Sequence, residues 1–156
     1  MGEFGWKEIL KQFLDDERAK KVAAAWNGDD YATFEQKDTK QLMVFARVRF
    51  DSPDNSGDFF KAYSEALAKK YTQQKSIMNG EKFLAFDSSD GHAYLRCVRS
   101  ECVTAQGTDA ATFSNWTNKL GWPSAALTAQ RHLGREALPG VMFSAAKDRN
   151  APVAAN

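Results

Sequence analysis

The sequence predicts an α+β fold, in which an antiparallel sheet of about five strands carries helices packed on one face. Four segments repeat apolar residues at helical spacing, and five shorter segments combine aromatic and β-branched residues with alternating polarity. These segments follow one another in the order α-α-β-β-α-β-β-β-α. Short polar turns separate consecutive strands, and strands joined in this way pair antiparallel.

Two short amphipathic helices are predicted at the start of the chain. Trp6 and Leu10 mark the apolar face of the first helix, and Val22 and Trp26 mark that of the second. Gly28 follows the second helix, where a residue without a Cβ can adopt the left-handed conformation that closes a helix. The second helix is therefore predicted to continue as far as this glycine.

Two strands follow the helices. Residues 31–35 mix aromatic and β-branched side chains, and Leu42–Phe50 alternates with one face entirely apolar. The polar residues 36–40 between them predict a hairpin turn.

A third helix is predicted after the turn-forming residues 51–58. Phe60, Tyr63, Leu67 and Tyr71 share one face of it.

Three further strands and a last helix complete the predicted fold. The strands are expected at residues 82–86, 93–99 and 102–106. Thr108 or Asp109 can cap the last helix, whose inward face is expected to carry the three residues Phe113, Trp116 and Leu120.

One domain is predicted over residues 1–122. Residues 123–143 show only a weak helical pattern and are expected to form an extension. Residues 144–156 are rich in alanine, contain almost nothing to bury, and are expected to be disordered.

The balance of charge argues against a nucleic-acid partner. The chain has 21 Lys and Arg against 20 Asp and Glu, which leaves a formal charge of +1 and no field to attract phosphate groups. Its apolar runs are too short for membrane insertion. We expect a cytoplasmic protein if the chain is complete, and an exported one if it is excised from a larger precursor.

The sequence favours a non-catalytic role. Its two histidines, His92 and His132, fall in different kinds of segment, and no spacing typical of a metal site or of a nucleophile with its base is present. No metal and no cofactor are therefore predicted.

The two cysteines, Cys97 and Cys102, flank a predicted turn at residues 100–101. A two-residue loop at that place would set them diagonally across the hairpin, which favours two buried, reduced thiols. A four-residue loop would bring them face to face, and an oxidising compartment would then allow a disulfide.

A ligand-binding surface is predicted on the less apolar face of the sheet. That face is expected to be open to solvent, and aromatic and guanidinium groups on it could stack on a ligand or hydrogen-bond to it. The candidate residues are Arg47, Arg49, Tyr94 and Arg96 on the sheet, together with Trp122, which is expected at the exposed end of the last helix.

Several short motifs resemble those of a poorly characterised bacterial α+β domain that often stands at the carboxyl end of larger chains. The first has the pattern W-x-G-D-x-Y and comprises Trp26, Gly28, Asp29 and Tyr31, and the others are the runs 49–52 and 58–63. The resemblance covers roughly residues 3–122. It implies an accessory or binding domain and assigns no functional residue.

The sequence thus favours a non-catalytic accessory or interaction domain that binds an unidentified protein or small molecule. One alternative is a small enzyme with a dispersed active site around His92 and Asp90. Another is an organising domain of a larger secreted protein.

Overall fold

The computed structural model describes residues 1–71, 75–80, 82–88 and 91–122. The elements in these ranges are, in chain order, α1 (Gly2–Lys11), α2 (Asp16–Ala23), β1 (Trp26–Glu35), β2 (Leu42–Phe50), α3 (Pro53–Lys70), β3 (Lys75–Gly80), β4 (Phe83–Ser88), β5 (Gly91–Val98), β6 (Glu101–Thr108) and α4 (Ala110–Lys119). The predicted fold class is confirmed, and so is the predicted order of elements, into which the structure inserts one further strand, β3. The predicted extension 123–143 and tail 144–156, with His132, lie outside the described residues.

The strands form one antiparallel sheet in the order β1-β2-β6-β5-β4-β3. Strands β1 and β3 therefore lie at the two edges, and β2, β6, β5 and β4 lie in the interior. The interior strands carry apolar side chains on both faces, so both faces need a cover.

Helices α1, α2 and α3 cover the first face of the sheet. Their core is aromatic: Trp6 of α1 meets Phe59 and Tyr63 of α3 edge to face, with ring centroids 5.2 and 5.7 Å apart. The start of α3 is fixed by Ser52, whose Oγ accepts a hydrogen bond of 3.2 Å from the backbone N–H of Asn55.

Helix α4 covers the opposite face, which corrects the prediction that the helices pack on one face. Phe113 of α4 stacks on Tyr94 of β5 with ring centroids 4.6 Å apart, and both belong to a second core cluster with Val103 and Ala105 of β6. Successive side chains of β6 point to opposite faces of the sheet, and apolar side chains lie on both. Helices α1, α2 and α3 cover only the first face, so Val103 and Ala105 on the second face would be exposed without α4.

Helix α2 ends earlier than predicted. Trp26 already pairs with Phe50 as the first residue of β1. Gly28 has φ +110° and lies where the register of β1 shifts between Trp26 and Asp29, so its left-handed backbone belongs to an irregularity in a strand and not to the end of a helix.

The prediction of two free thiols is wrong, because Cys97 and Cys102 form a disulfide. The turn consists of Arg99 and Ser100, one residue earlier than predicted, so Val98 pairs with Glu101 and the cysteines stand directly opposite one another. The sequence predicts the turn at residues 100–101, and the shift to residues 99–100 is what makes the two cysteines face each other.

The W-x-G-D pattern has a structural explanation at the start of α1. The carboxylate of Asp29, whose side chain is 3% exposed, accepts hydrogen bonds from the backbone N–H of Gly2 at 2.9 Å and from the indole Nε1 of Trp26 at 3.1 Å. It also lies 3.0 Å from the amino group of Met1. Asp29 therefore joins the beginning of α1 to the beginning of β1.

We expect Asp29→Asn to lower the free energy of unfolding at pH 7 by about 1–2 kcal/mol, the usual value of a helix-capping side chain. Burial raises the pKa of the Asp29 carboxyl, but the N–H of Gly2, the amino group of Met1 and the indole of Trp26 together bring this pKa below its ordinary value of 3.8. A lowered pKa in the folded state stabilises the protein above that ordinary value, and the effect is lost as the pH falls through the folded pKa. Urea unfolding should therefore show a gap between the two proteins at pH 7 that narrows below about pH 4.

Asp30→Asn is the matched control, since Asp30 is the next residue and its carboxylate is mostly exposed, 3.8 Å from the guanidinium of Arg49. Its effect should stay within about 0.5 kcal/mol. Equal losses in the two variants would contradict the assigned role of Asp29.

Candidate ligand-binding groove

An apolar groove of about 470 Å³ lies between α4 and the strands β1 and β2. Its walls are built mainly by Ala32, Phe34, Met43, Phe45, Trp116 and Leu120. The register explains why the strand residues share one face, because Ala32 stands opposite Phe45 and Phe34 stands opposite Met43.

A row of three aromatic rings forms one wall of the groove. Phe34 meets Phe45 edge to face at a centroid distance of 5.9 Å, and Phe45 meets Trp116 in the same way at 4.9 Å. Phe34 is 52% exposed, although it continues this packed row. The row thus ends in an aromatic surface that faces solvent.

One end of the groove is charged. Arg47 lines it, and its Nη2 lies 2.7 and 2.9 Å from the two carboxylate oxygens of Glu101. Asp30 also lines this end, close to Arg49. Both predicted arginines of β2 therefore have acidic neighbours, and of the two only Arg47 lines the groove.

Three of the predicted site residues do not lie on an open surface. Tyr94, Arg96 and Trp122 are buried, because α4 and the residues that follow it cover this face. The guanidinium of Arg96, a residue 4% exposed, lies 5.9 Å from the ring of Phe83 and 5.8 Å from that of Trp122, and burial lowers its pKa. The expectation of an exposed site is therefore wrong for these three residues. It assumed that the helices all pack on the other face of the sheet, whereas α4 packs on this one.

A polar cleft, also of about 470 Å³, continues from the groove at the far end of β1 and β2. The two cavities share Met43 and Thr112. His92 and Asp109 line the cleft, together with the buried Thr108.

His92 has an acidic neighbour that the sequence reasoning did not select. Its Nδ1 lies 2.5 Å from Oδ1 of Asp87, a close contact that is not aligned as a hydrogen bond. Asp87 and His92 are direct cross-strand partners on β4 and β5. Asp90, which the enzyme hypothesis paired with His92, lies outside the described residues.

A bulge in β6 places Thr108 opposite His92. Ala93 pairs with Gln106 whereas His92 pairs with Thr108, so Gly107 is an extra residue, and it has φ +71°. The threonine hydroxyl has no hydrogen-bond partner among the residues that the structure describes. The glycine next to Thr108 is the feature of the sequence that indicates a bulge, whereas the helix pattern alone predicts Thr108 only as a possible helix cap.

The architecture defines an α+β domain built on a six-stranded antiparallel sheet with helices on both faces. The chain belongs to the family described as a domain of unknown function (DUF8575), whose model matches residues 1–117. The match includes β1, β2 and most of α4, and therefore nearly the whole groove. No curated protein and no solved structure matched the chain. In the described part of the chain, the helices are too short or too polar to cross a bilayer.

Proposed function

We propose that residues 1–122 form a non-catalytic binding domain, whose ligand occupies the groove between α4 and the β1–β2 hairpin. The observation that carries the proposal is the apolar groove itself, which leaves aromatic surface in contact with water. Its volume of about 470 Å³ falls within the range of roughly 300–1,000 Å³ that is typical of small-ligand sites.

The contacts of the groove support an uncharged apolar body for the ligand. Phe34, Phe45 and Trp116 present ring edges and faces, which favour flat or aliphatic groups. Arg47, the cationic side chain of the groove, is engaged by Glu101 in a two-oxygen contact, so an anionic ligand would have to compete with a carboxylate already in place.

The disulfide supports an oxidising compartment for the domain. Disulfides persist in secreted and periplasmic proteins and are rare where thiols are kept reduced. The Cys97–Cys102 bond therefore favours the exported form of the protein over the cytoplasmic one.

The uncharged naphthalene fluorophore prodan tests the proposal. We expect it to bind with a saturable rise in fluorescence, and Ala32→Glu to weaken this binding at least about tenfold, or by ~1.4 kcal/mol, because the substitution places a carboxylate among apolar walls. Ala32 is exposed on edge strand β1, so the variant should still fold.

Thr33→Glu is the matched control, since Thr33 is the next residue of β1, is also exposed, and points to the other face of the sheet. This variant should bind prodan as the parent protein does. Absence of saturable binding by the parent protein, or equal loss in both variants, would refute the groove as the site.

A further inference from the structure

We propose that the polar cleft receives the head group of the ligand in the groove, and that this head group is a hydroxyl or an amine, which donates a hydrogen bond. This assignment rests on the proposed function, because it concerns a second part of the same ligand. It makes the ligand amphipathic, with an apolar body against Phe45 and Trp116 and a polar end beside His92 and Thr108.

The continuity of the two cavities is the first support. Met43 and Thr112 line both the groove and the cleft, so a single molecule can extend from one into the other without leaving the surface of the sheet. The character of the walls changes at this boundary from aromatic rings to His92, Thr108 and Asp109.

The imidazole of His92 supplies a hydrogen-bond acceptor. The carboxylate of Asp87 lies 2.5 Å from Nδ1, and two unprotonated atoms at this distance would repel each other, so the ring proton belongs on Nδ1. In the neutral imidazole, Nε2 is then the acceptor. A ligand O–H or N–H satisfies it, whereas a carboxylate does not.

Thr108 supplies the second polar group. The residue is 4% exposed, lines the cleft, and has a hydroxyl without a partner in the described part of the chain. Burying an unsatisfied hydroxyl costs free energy, which a ligand with a polar head can recover. The bulge at Gly107 brings this hydroxyl onto the face of His92, and bulges beside functional sites often re-aim a side chain in this way.

The charges around the cleft disfavour an anionic head group. Asp109 lines the cleft, and Asp87 adjoins it through His92. Among the described residues that line it, none is lysine or arginine. A carboxylate head would therefore meet like charge without a cation to balance it.

Competition against prodan with three ten-carbon amphiphiles, decanol, decylamine and decanoate, tests the assignment in the intact chain below the concentrations at which these compounds aggregate. We expect decanol and decylamine to displace prodan at concentrations at least about tenfold lower than decanoate, because only they donate a hydrogen bond to His92. Prodan itself carries no N–H or O–H group.

Each of two substitutions should weaken the displacement of prodan by decanol at least about threefold, while leaving prodan binding itself within about twofold of the parent protein. Thr108→Val keeps the shape of the side chain and removes the hydroxyl, and His92→Phe removes the acceptor. Thr104→Val is the matched control, because Thr104 is a buried threonine of the same strand on the opposite face of the sheet. It should leave the displacement of prodan by decanol unchanged.

The outcomes separate this inference from the function on which it rests. If prodan binds but all three amphiphiles displace it equally, or if decanoate is preferred, the head-group assignment fails and the binding groove stands. If prodan does not bind, both fail. Unchanged displacement of prodan by decanol in both Thr108→Val and His92→Phe would also overturn the assignment.

Discussion

Phe59→Ala is expected to reduce the free energy of unfolding by about 3–5 kcal/mol, a large part of the 5–15 kcal/mol that is typical of a domain. Phe59 is 1% exposed and stands at the centre of the first core, with ring centroids 5.2 Å from Trp6, 4.8 Å from Phe50 and 5.3 Å from Tyr63. Its removal leaves a cavity between α1, α3 and β2 that these large rings cannot fill by small movements. Urea unfolding followed by tryptophan fluorescence measures the loss.

Phe60→Ala provides the comparison for this prediction. Phe60 is the next residue of α3, is only partly buried, and packs at the margin of the same core. Its truncation should cost about 1 kcal/mol. If the alanine variant of Phe59 does not fold, Phe59→Leu should fold with a smaller loss. Similar losses at the two positions would contradict the central place of Phe59.

Phe113→Ala is expected to lower the free energy of unfolding by about 3–4 kcal/mol and to release α4 from the sheet. Phe113 is 1% exposed and stacks on Tyr94 at 4.6 Å and on Phe83 at 6.2 Å. Since α4 has ten residues, it depends on this packing for its stability. The amides of α4 should lose protection from hydrogen exchange before those of β5 and β6.

Prodan binding adds a second measurement to this prediction. Trp116 forms one wall of the groove and lies 6.4 Å from Phe113, so release of α4 should also abolish binding. Ser114→Ala, on the exposed side of α4, should change stability by no more than about 0.5 kcal/mol and leave binding intact. Retained amide protection and binding in Phe113→Ala would show that α4 is held in another way.

Regular periodicity made much of the fold predictable from the sequence. Strand β2 has the predicted bounds, Leu42–Phe50, because alternation continues over its whole length. The buried positions Tyr63 and Leu67 of α3 and Phe113 of α4 also agree with the predicted helical faces. Strand β3 was not predicted because its two large apolar residues, Ile77 and Met78, are adjacent in the sequence and show no alternation.

The candidate site was less predictable, because it depends on contacts between elements distant in the sequence. Arg47 lines the groove, but Tyr94 and Arg96 lie beneath α4, whose side of the sheet no local pattern specifies. The disulfide depended on the position of one turn. With the turn at residues 99–100, Cys97 and Cys102 face each other, whereas a turn one residue later would place them diagonally. The bulge at Gly107 was unpredictable for a similar reason, because a single extra residue decides which face of the sheet Thr108 points to.

The edge position of β1 has a consequence for contacts between copies of the chain. Its exposed carboxylates include Asp30, in the middle of the strand, and Glu35, at its end. Two such strands aligned antiparallel about residues 32 and 33 would set Asp30 of each copy against Glu35 of the other. Like charges facing each other across a ladder are destabilising, so the same strand that borders the groove resists the sideways growth of the sheet into fibrils or aggregates.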